Sequence, residues 1–105
     1  MAHPTVWKQN RVAVTMDSVD ENGEIFDLRL GDKVPRHVII TNTMTPAADP
    51  ANDILLGISY DGDGATLDLL APRQTREIPG GVLADVELSS SDNTTECTFS
   101  IVRIY

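Results

Sequence analysis

The sequence predicts an all-β fold, a single-domain antiparallel sandwich or jelly roll of about eight strands. Three observations lead to this class. Glycines and prolines interrupt the 105-residue chain at intervals of roughly ten residues, as turns do in such folds. Short runs rich in valine, isoleucine, leucine and threonine lie between these breaks and are typical of strands. Apolar and polar residues alternate within the runs, and no run shows the spacing of an amphipathic helix.

The first predicted strand covers residues 11–16, and a polar turn is predicted at 17–23. Val12, Val14 and Met16 occupy alternate positions in this run. Side chains in a strand point to opposite faces in turn, so these three residues are expected on one face.

The second predicted strand covers residues 24–30 and alternates clearly. We expect Phe26, Leu28 and Leu30 to point inward and the charged residues between them to point outward. A break that contains glycine and proline separates this strand from the third, residues 37–42, which we interpret as buried.

The middle of the chain combines an irregular segment with the most apolar strand. Residues 43–52 hold Pro46 and Pro50, which predicts a surface loop. Residues 53–60 form the fourth predicted strand, which we expect to be central. The sequence Asp-Gly-Asp-Gly at 61–64 predicts a hairpin turn, because glycine adopts the positive φ that tight hairpins require.

Four further strands are predicted in the rest of the chain, separated by glycine-rich, proline-rich or polar turns. In the last of them Cys97, Phe99 and Ile101 are expected on one face. The four strands are residues 65–70, 75–78, 82–88 and 96–105.

The chain is expected to hold one β-sandwich domain at residues 11–105, preceded by a flexible N-terminal arm at residues 1–10. The arm lacks periodicity but contains Trp7, which suggests that it becomes ordered only against a partner.

No apolar run approaches the ~20 residues of a membrane helix, and no signal peptide is visible. We therefore expect no membrane partner.

The charge balance argues against a nucleic-acid partner. Eight lysines and arginines against sixteen aspartates and glutamates give a net charge of −8, whereas phosphate neutralisation needs clustered cations.

Cys97 is the one cysteine, so no internal disulfide can form, which suits a reducing compartment.

No catalytic, cofactor-binding or metal-binding residue is predicted. His3, His37 and Cys97 are too few for a zinc site. The acidic segments 17–24 and 61–64 lack the ligand spacing of a calcium loop, so we interpret them as hairpin turns, with a weak surface ion site left open. We therefore expect a protein without enzymatic activity.

Six residues are predicted to bind a partner. Four of them are apolar and lie in the arm or in the 43–52 segment. The other two are arginines of the second half of the chain. The alternative interpretation of these arginines is that they keep a strand edge solvated. They are Trp7, Met44, Pro46, Pro50, Arg73 and Arg76.

Four segments of the second half form a further pattern: Ile-Ser-Tyr-Asp-Gly at 58–62, Leu-Ala-Pro-Arg-Gln-Thr-Arg-Glu-Ile-Pro at 70–79, Val-Glu-Leu-Ser-Ser-Ser at 86–91 and Phe-Ser-Ile-Val-Arg at 99–103. This pattern resembles small β-sandwich structural proteins of tailed bacteriophages, of the capsid decoration or cement type. The resemblance implies a virion protein at the capsid surface, made in the host cytoplasm, that binds and stabilises the major capsid protein. It also implies a homo-oligomer, with a trimer favoured.

Two alternatives remain open at this point. One is a structural component of the neck, tail or baseplate. The other is a carbohydrate-binding module of the virion, against which the aromatic content of 5% counts.

Overall fold

The computed structural model describes residues 11–60, 67–79 and 83–105, which form two antiparallel sheets of four strands each. A 3-10 turn at Pro50–Asn52 precedes the fourth strand. None of the described residues forms a helix long and apolar enough to cross a membrane. The strands are β1 (Val12–Val19), β2 (Glu24–Asp27), β3 (His37–Asn42), β4 (Leu56–Ser59), β5 (Leu67–Leu70), β6 (Thr75–Pro79), β7 (Asp85–Ser90) and β8 (Cys97–Ile104).

The strand order is that of a jelly roll. The first sheet has the order β1-β8-β3-β6, and the second sheet has the order β2-β7-β4-β5. β1 pairs with β8, β2 with β7, β3 with β6 and β4 with β5, all antiparallel. These four antiparallel pairs are divided between the two sheets, with two pairs in each, as in a jelly roll. The predicted fold class, an all-β antiparallel sandwich or jelly roll, is confirmed.

The core lies between the sheets and is built from alternate residues of both. The ring of Phe26 from the second sheet meets the ring of Phe99 from the first edge-to-face, with centroids 5.2 Å apart. This geometry is favoured for aromatic pairs because the positive ring edge meets the negative ring face. The buried apolar side chains are Val19, Leu28, Val38, Ile40, Leu56, Ile58, Leu70, Val86, Leu88, Cys97, Phe99 and Ile101.

One buried amide joins the two sheets at the end of β3. Asn42 is fully buried, and its Nδ2 donates to the carbonyl oxygens of Ile54 at 3.0 Å and Leu70 at 2.8 Å. Its Oδ1 accepts the N–H of Met44 at 2.9 Å. Because Asn42 belongs to the first sheet and Leu70 to the second, this side chain links the two sheets by a hydrogen bond.

β1 is longer than the sequence predicts. It continues past Met16 to Val19, through residues assigned to a turn. The physical reason is that β8 supplies a partner for every residue of β1, down to Val19 opposite Cys97. At a sheet margin, polar residues such as Asp17 can remain solvated while the backbone stays paired.

The inward position expected for Leu30 is wrong. β2 ends at Asp27, whose Oδ1 accepts the backbone N–H of Arg29 at 3.0 Å. Leu30 then pairs with Lys33 across a tight turn in which Gly31 has a φ of +65°. Leu30 is consequently 37% exposed. The bounds of β4 and β7 also differ from the predicted 53–60 and 82–88.

Replacing Asn42 with alanine is expected to lower the free energy of unfolding by about 2–4 kcal/mol, because buried carbonyl and N–H groups lose their partners. Chemical denaturation measures the change. The exposed Asn93 is the control, and Asn93→Ala is expected to change stability by less than about 0.5 kcal/mol. Equal effects of the two substitutions would contradict the role given to Asn42.

Candidate functional site

The outward side of β1 is apolar. Val12, Val14 and Met16 are 56%, 58% and 75% exposed. The sequence predicts that they share a face, and the structure confirms this. Val19, on the opposite side of the same strand, is buried in the core, so the shared face is the one that points to solvent.

This surface continues onto β8 and β3. Val14 lies opposite Val102, which lies opposite Ile39, and Val12 lies opposite Ile104. Residues opposite one another in a sheet share a face, so these side chains form one surface. Ile39, Val102 and Ile104 are half-buried. We call this surface the apolar face; it consists of Val12, Val14, Met16, Ile39, Val102 and Ile104.

Polar groups lie at two margins of the apolar face. On one side, the hydroxyls of Thr41 and Thr75 are 3.0 Å apart and hydrogen-bonded. At one corner, the Nδ1 of His37 lies 3.2 Å from the Oε1 of Glu77. The centre of the face, at Val102, has no charged neighbour directly opposite it on β1 or β3.

The outward side of the second sheet carries acidic residues and two exposed apolar side chains, Ile25 on β2 and Leu69 on β5. Asp27 on β2 lies directly opposite Asp85 on β7, and Glu87 follows on the same side of β7. Arg29 donates from Nε and Nη2 to both oxygens of Asp27, each at 3.0 Å. These hydrogen bonds lower the pKa of Asp27 to about 2, so this carboxylate stays charged at acidic pH values at which an ordinary aspartate is protonated. We call Asp27, Asp85 and Glu87 the acidic face.

The apolar residues that the sequence predicts as partner contacts differ in exposure. Met44 is half-buried and packs against the core, and its sulfur lies 3.3 Å from both the N–H and the hydroxyl of Thr98. Pro46 and Pro50 are exposed. Trp7 lies outside the described residues, as does the whole predicted arm.

The two predicted arginines have different surroundings. Arg76 of β6 binds both oxygens of Asp68 of β5, with nitrogen–oxygen distances of 3.0 and 3.1 Å. This ion pair joins the first sheet to the second at their edges. Arg73 is exposed in the turn before β6 at a φ of +70°, and its backbone N–H donates to the carbonyl of Asn42 at 2.7 Å.

A shallow depression of about 670 Å³ lies beside the 3-10 turn and is lined by Ala51, Asn52, Asp53, Leu55, Ser91, Asp92 and Asn93. The carboxylates that line it, those of Asp53 and Asp92, accept hydrogen bonds from nearby loop residues. Asp53 accepts the N–H of Ala47 at 2.7 Å. Asp92 accepts the N–H and hydroxyl of Thr94, which lowers the pKa of Asp92. Among the described residues, no group of three or more histidine, cysteine or acidic side chains could hold a metal ion.

Comparison with protein families, curated proteins and solved structures finds no match to this chain. The apolar face and the acidic face are therefore the features from which its function is inferred. Alternation in the sequence groups Val12, Val14 and Met16 of the apolar face, but the partner contacts predicted from the sequence do not include them.

Cys97 is expected to resist alkylation in the folded protein. It is fully buried, and burial raises the pKa of its thiol to about 11, so very little reactive thiolate exists at pH 8. Iodoacetamide labelling followed by mass spectrometry tests this, with the denatured chain as the control. Equally fast labelling of the folded and the denatured chain would contradict the prediction.

Proposed function

We propose that this chain is a structural virion protein, a capsid decoration or cement protein that binds and stabilises the major capsid shell of a tailed phage. The observation that supports this most strongly is the contrast between the two outward sides of the jelly roll. One side carries the apolar face, with Val14 and Val102 at its centre. The other carries the acidic face, which stays in solvent when the apolar face is covered. The two exposed apolar side chains on this second side, Ile25 and Leu69, lie apart on the opposite edge strands β2 and β5.

The physical basis of the proposed attachment is the favourable free energy of burying the apolar face. Apolar burial contributes about 25 cal/mol per Å² before the entropy of association is subtracted. Exposed ion pairs contribute only about 0–1 kcal/mol each, so charge alone does not hold such a subunit. The net charge of −8 keeps the free protein soluble before assembly, although part of its surface is apolar.

The resemblance and the fold support the same proposal. The segment at 99–103 lies within β8 and contributes Val102 to the apolar face. Jelly rolls occur in viral capsid proteins but also in lectins, so the fold alone does not choose between them. A carbohydrate site usually offers an aromatic ring for stacking, and the described residues that line the depression include none.

Quantitative mass spectrometry of purified particles tests the proposal. The particles come from the phage whose genome encodes the chain. A copy number comparable with that of the major shell subunit is the expected result. A copy number that fits a single ring would instead indicate the neck or baseplate, and absence from the particle would overturn the proposal.

Val102→Asp is expected to reduce attachment to particles that lack the protein by more than about tenfold, because a carboxylate would be buried at the centre of the contact. The control is Leu69→Asp on β5, at a residue of the second sheet that is 51% exposed. Pelleting of the full chain with particles measures attachment. Loss of attachment with Leu69→Asp, and not with Val102→Asp, would show that the opposite side binds.

A further inference from the structure

β1 has an unpaired edge among the residues that the structure describes. It is the outermost strand of the first sheet and pairs with β8 alone. The N–H of Tyr105 donates to the carbonyl of Arg11 at 2.9 Å, so Arg11 and every second residue after it bond toward β8. Val12, Val14 and Met16 therefore point their N–H and C=O groups away from the sheet.

This edge differs from the other edges of the two sheets. β2 and β5 are four residues long, and each contains an acidic residue. β6 carries Arg76 and Glu77 next to each other. Charge and short length protect edges against pairing with another chain. β1 is eight residues long and has no charged residue from Val12 to Met16.

We propose that this edge binds a second copy of the same chain, with β1 antiparallel to β1 about a two-fold axis at Val14. Val14 then lies opposite the partner's Val14, and Val12 lies opposite the partner's Met16. Arg11 lies opposite the partner's Asp17. The outward N–H and C=O groups of each strand meet those of the other.

Two constraints select this register. In an antiparallel pair, residues whose N–H and C=O groups point outward on one copy must lie opposite such residues on the other. The register can therefore shift only by two residues at a time, which keeps Val12, Val14 and Met16 opposite residues with outward backbone groups. Among these registers, the one centred on Val14 places the positive charge of Arg11 opposite the negative charge of Asp17. The neighbouring registers place Arg11 opposite Thr15 or Val19 instead.

The free part of the edge ends after Met16, which is the last residue with outward backbone groups that this register pairs with the described edge of the second copy. The N–H of Ser18 is the next outward group, and it donates to the Oδ1 of Asp17 at 2.8 Å. The pairing joins the first sheets of two copies into one sheet and places their apolar faces side by side. The contact is isologous and closes with two copies, in contrast to the trimer that the resemblance implies. It does not depend on the proposed virion function.

Analytical ultracentrifugation of the full chain tests the pairing, and a dimer is expected. Val14→Lys places two ammonium groups opposite each other at the two-fold axis, which should weaken dimerisation by more than about tenfold. The control is Ile25→Lys on β2, at a position that is 66% exposed, and it should leave the dimer intact. A monomeric or trimeric wild-type chain, or a Val14→Lys dimer of unchanged affinity, overturns the proposal.

A charge exchange tests the register. Arg11→Asp and Asp17→Arg each place like charges opposite one another twice in a homodimer, so each variant alone should dimerise weakly. When the two variants are mixed, every opposition combines opposite charges, and a heterodimer should form in native mass spectrometry. If the mixture dimerises no better than either variant alone, the register is wrong.

Amide hydrogen exchange distinguishes a second copy from the chain's own N-terminal residues as the occupant of the edge. The amides of Val12, Val14 and Met16 should become protected as protein concentration rises and should exchange rapidly in Val14→Lys. Protection that is independent of concentration and is lost when residues 1–10 are removed would show that those residues cover the edge, which overturns the proposal.

Discussion

The buried amide of Asn42 links the two sheets through hydrogen bonds, and the sandwich depends on such contacts to hold one sheet over the other. Apolar packing alone has little directional preference, whereas a buried amide must find all its partners. Asn42 finds them in Ile54, Leu70 and Met44, which belong to different parts of the chain. The first sheet is therefore held over the second in one arrangement.

The apolar face arises because β1 lies at the margin of the sandwich. On its inner side β1 carries small residues, and the hydroxyl of Thr15 accepts a hydrogen bond from the Nη2 of Arg103 at 2.7 Å. Thr15 and Ala13 leave little apolar bulk on the inner side at this end of β1. Its large apolar side chains consequently point outward, next to Val102. The same marginal position leaves one backbone edge of β1 unpaired, so the face and the edge have one structural cause.

Much of the fold is predictable from local signals. β3 has its predicted bounds, His37–Asn42, because proline precedes it and its buried residues alternate regularly. The limits of β1 and β2 depend on partners far away in the chain, which local alternation does not reveal. Leu30 illustrates this, since the chain leaves the sheet after Asp27 although its alternation continues.

The candidate site is less predictable for a related reason. Alternation groups Val12, Val14 and Met16 but does not tell which side of a strand the opposite sheet covers. That information comes from the sheet order, which places β1 at an edge. The absence of charge between Arg11 and Asp17 is the signal in the sequence that identifies an unprotected edge.

The most direct test of the central claim, that the apolar face is the surface covered on assembly, is the oxidation of methionine by dilute peroxide. Met16 is 75% exposed in the free chain, and the half-buried Met44 is an internal reference. Mass spectrometry compares the two rates in free protein and in particles that carry it. We expect assembly to slow the oxidation of Met16 relative to Met44 by about tenfold or more, as burial of an exposed thioether should. Equal relative rates in the free and the assembled protein would contradict the account.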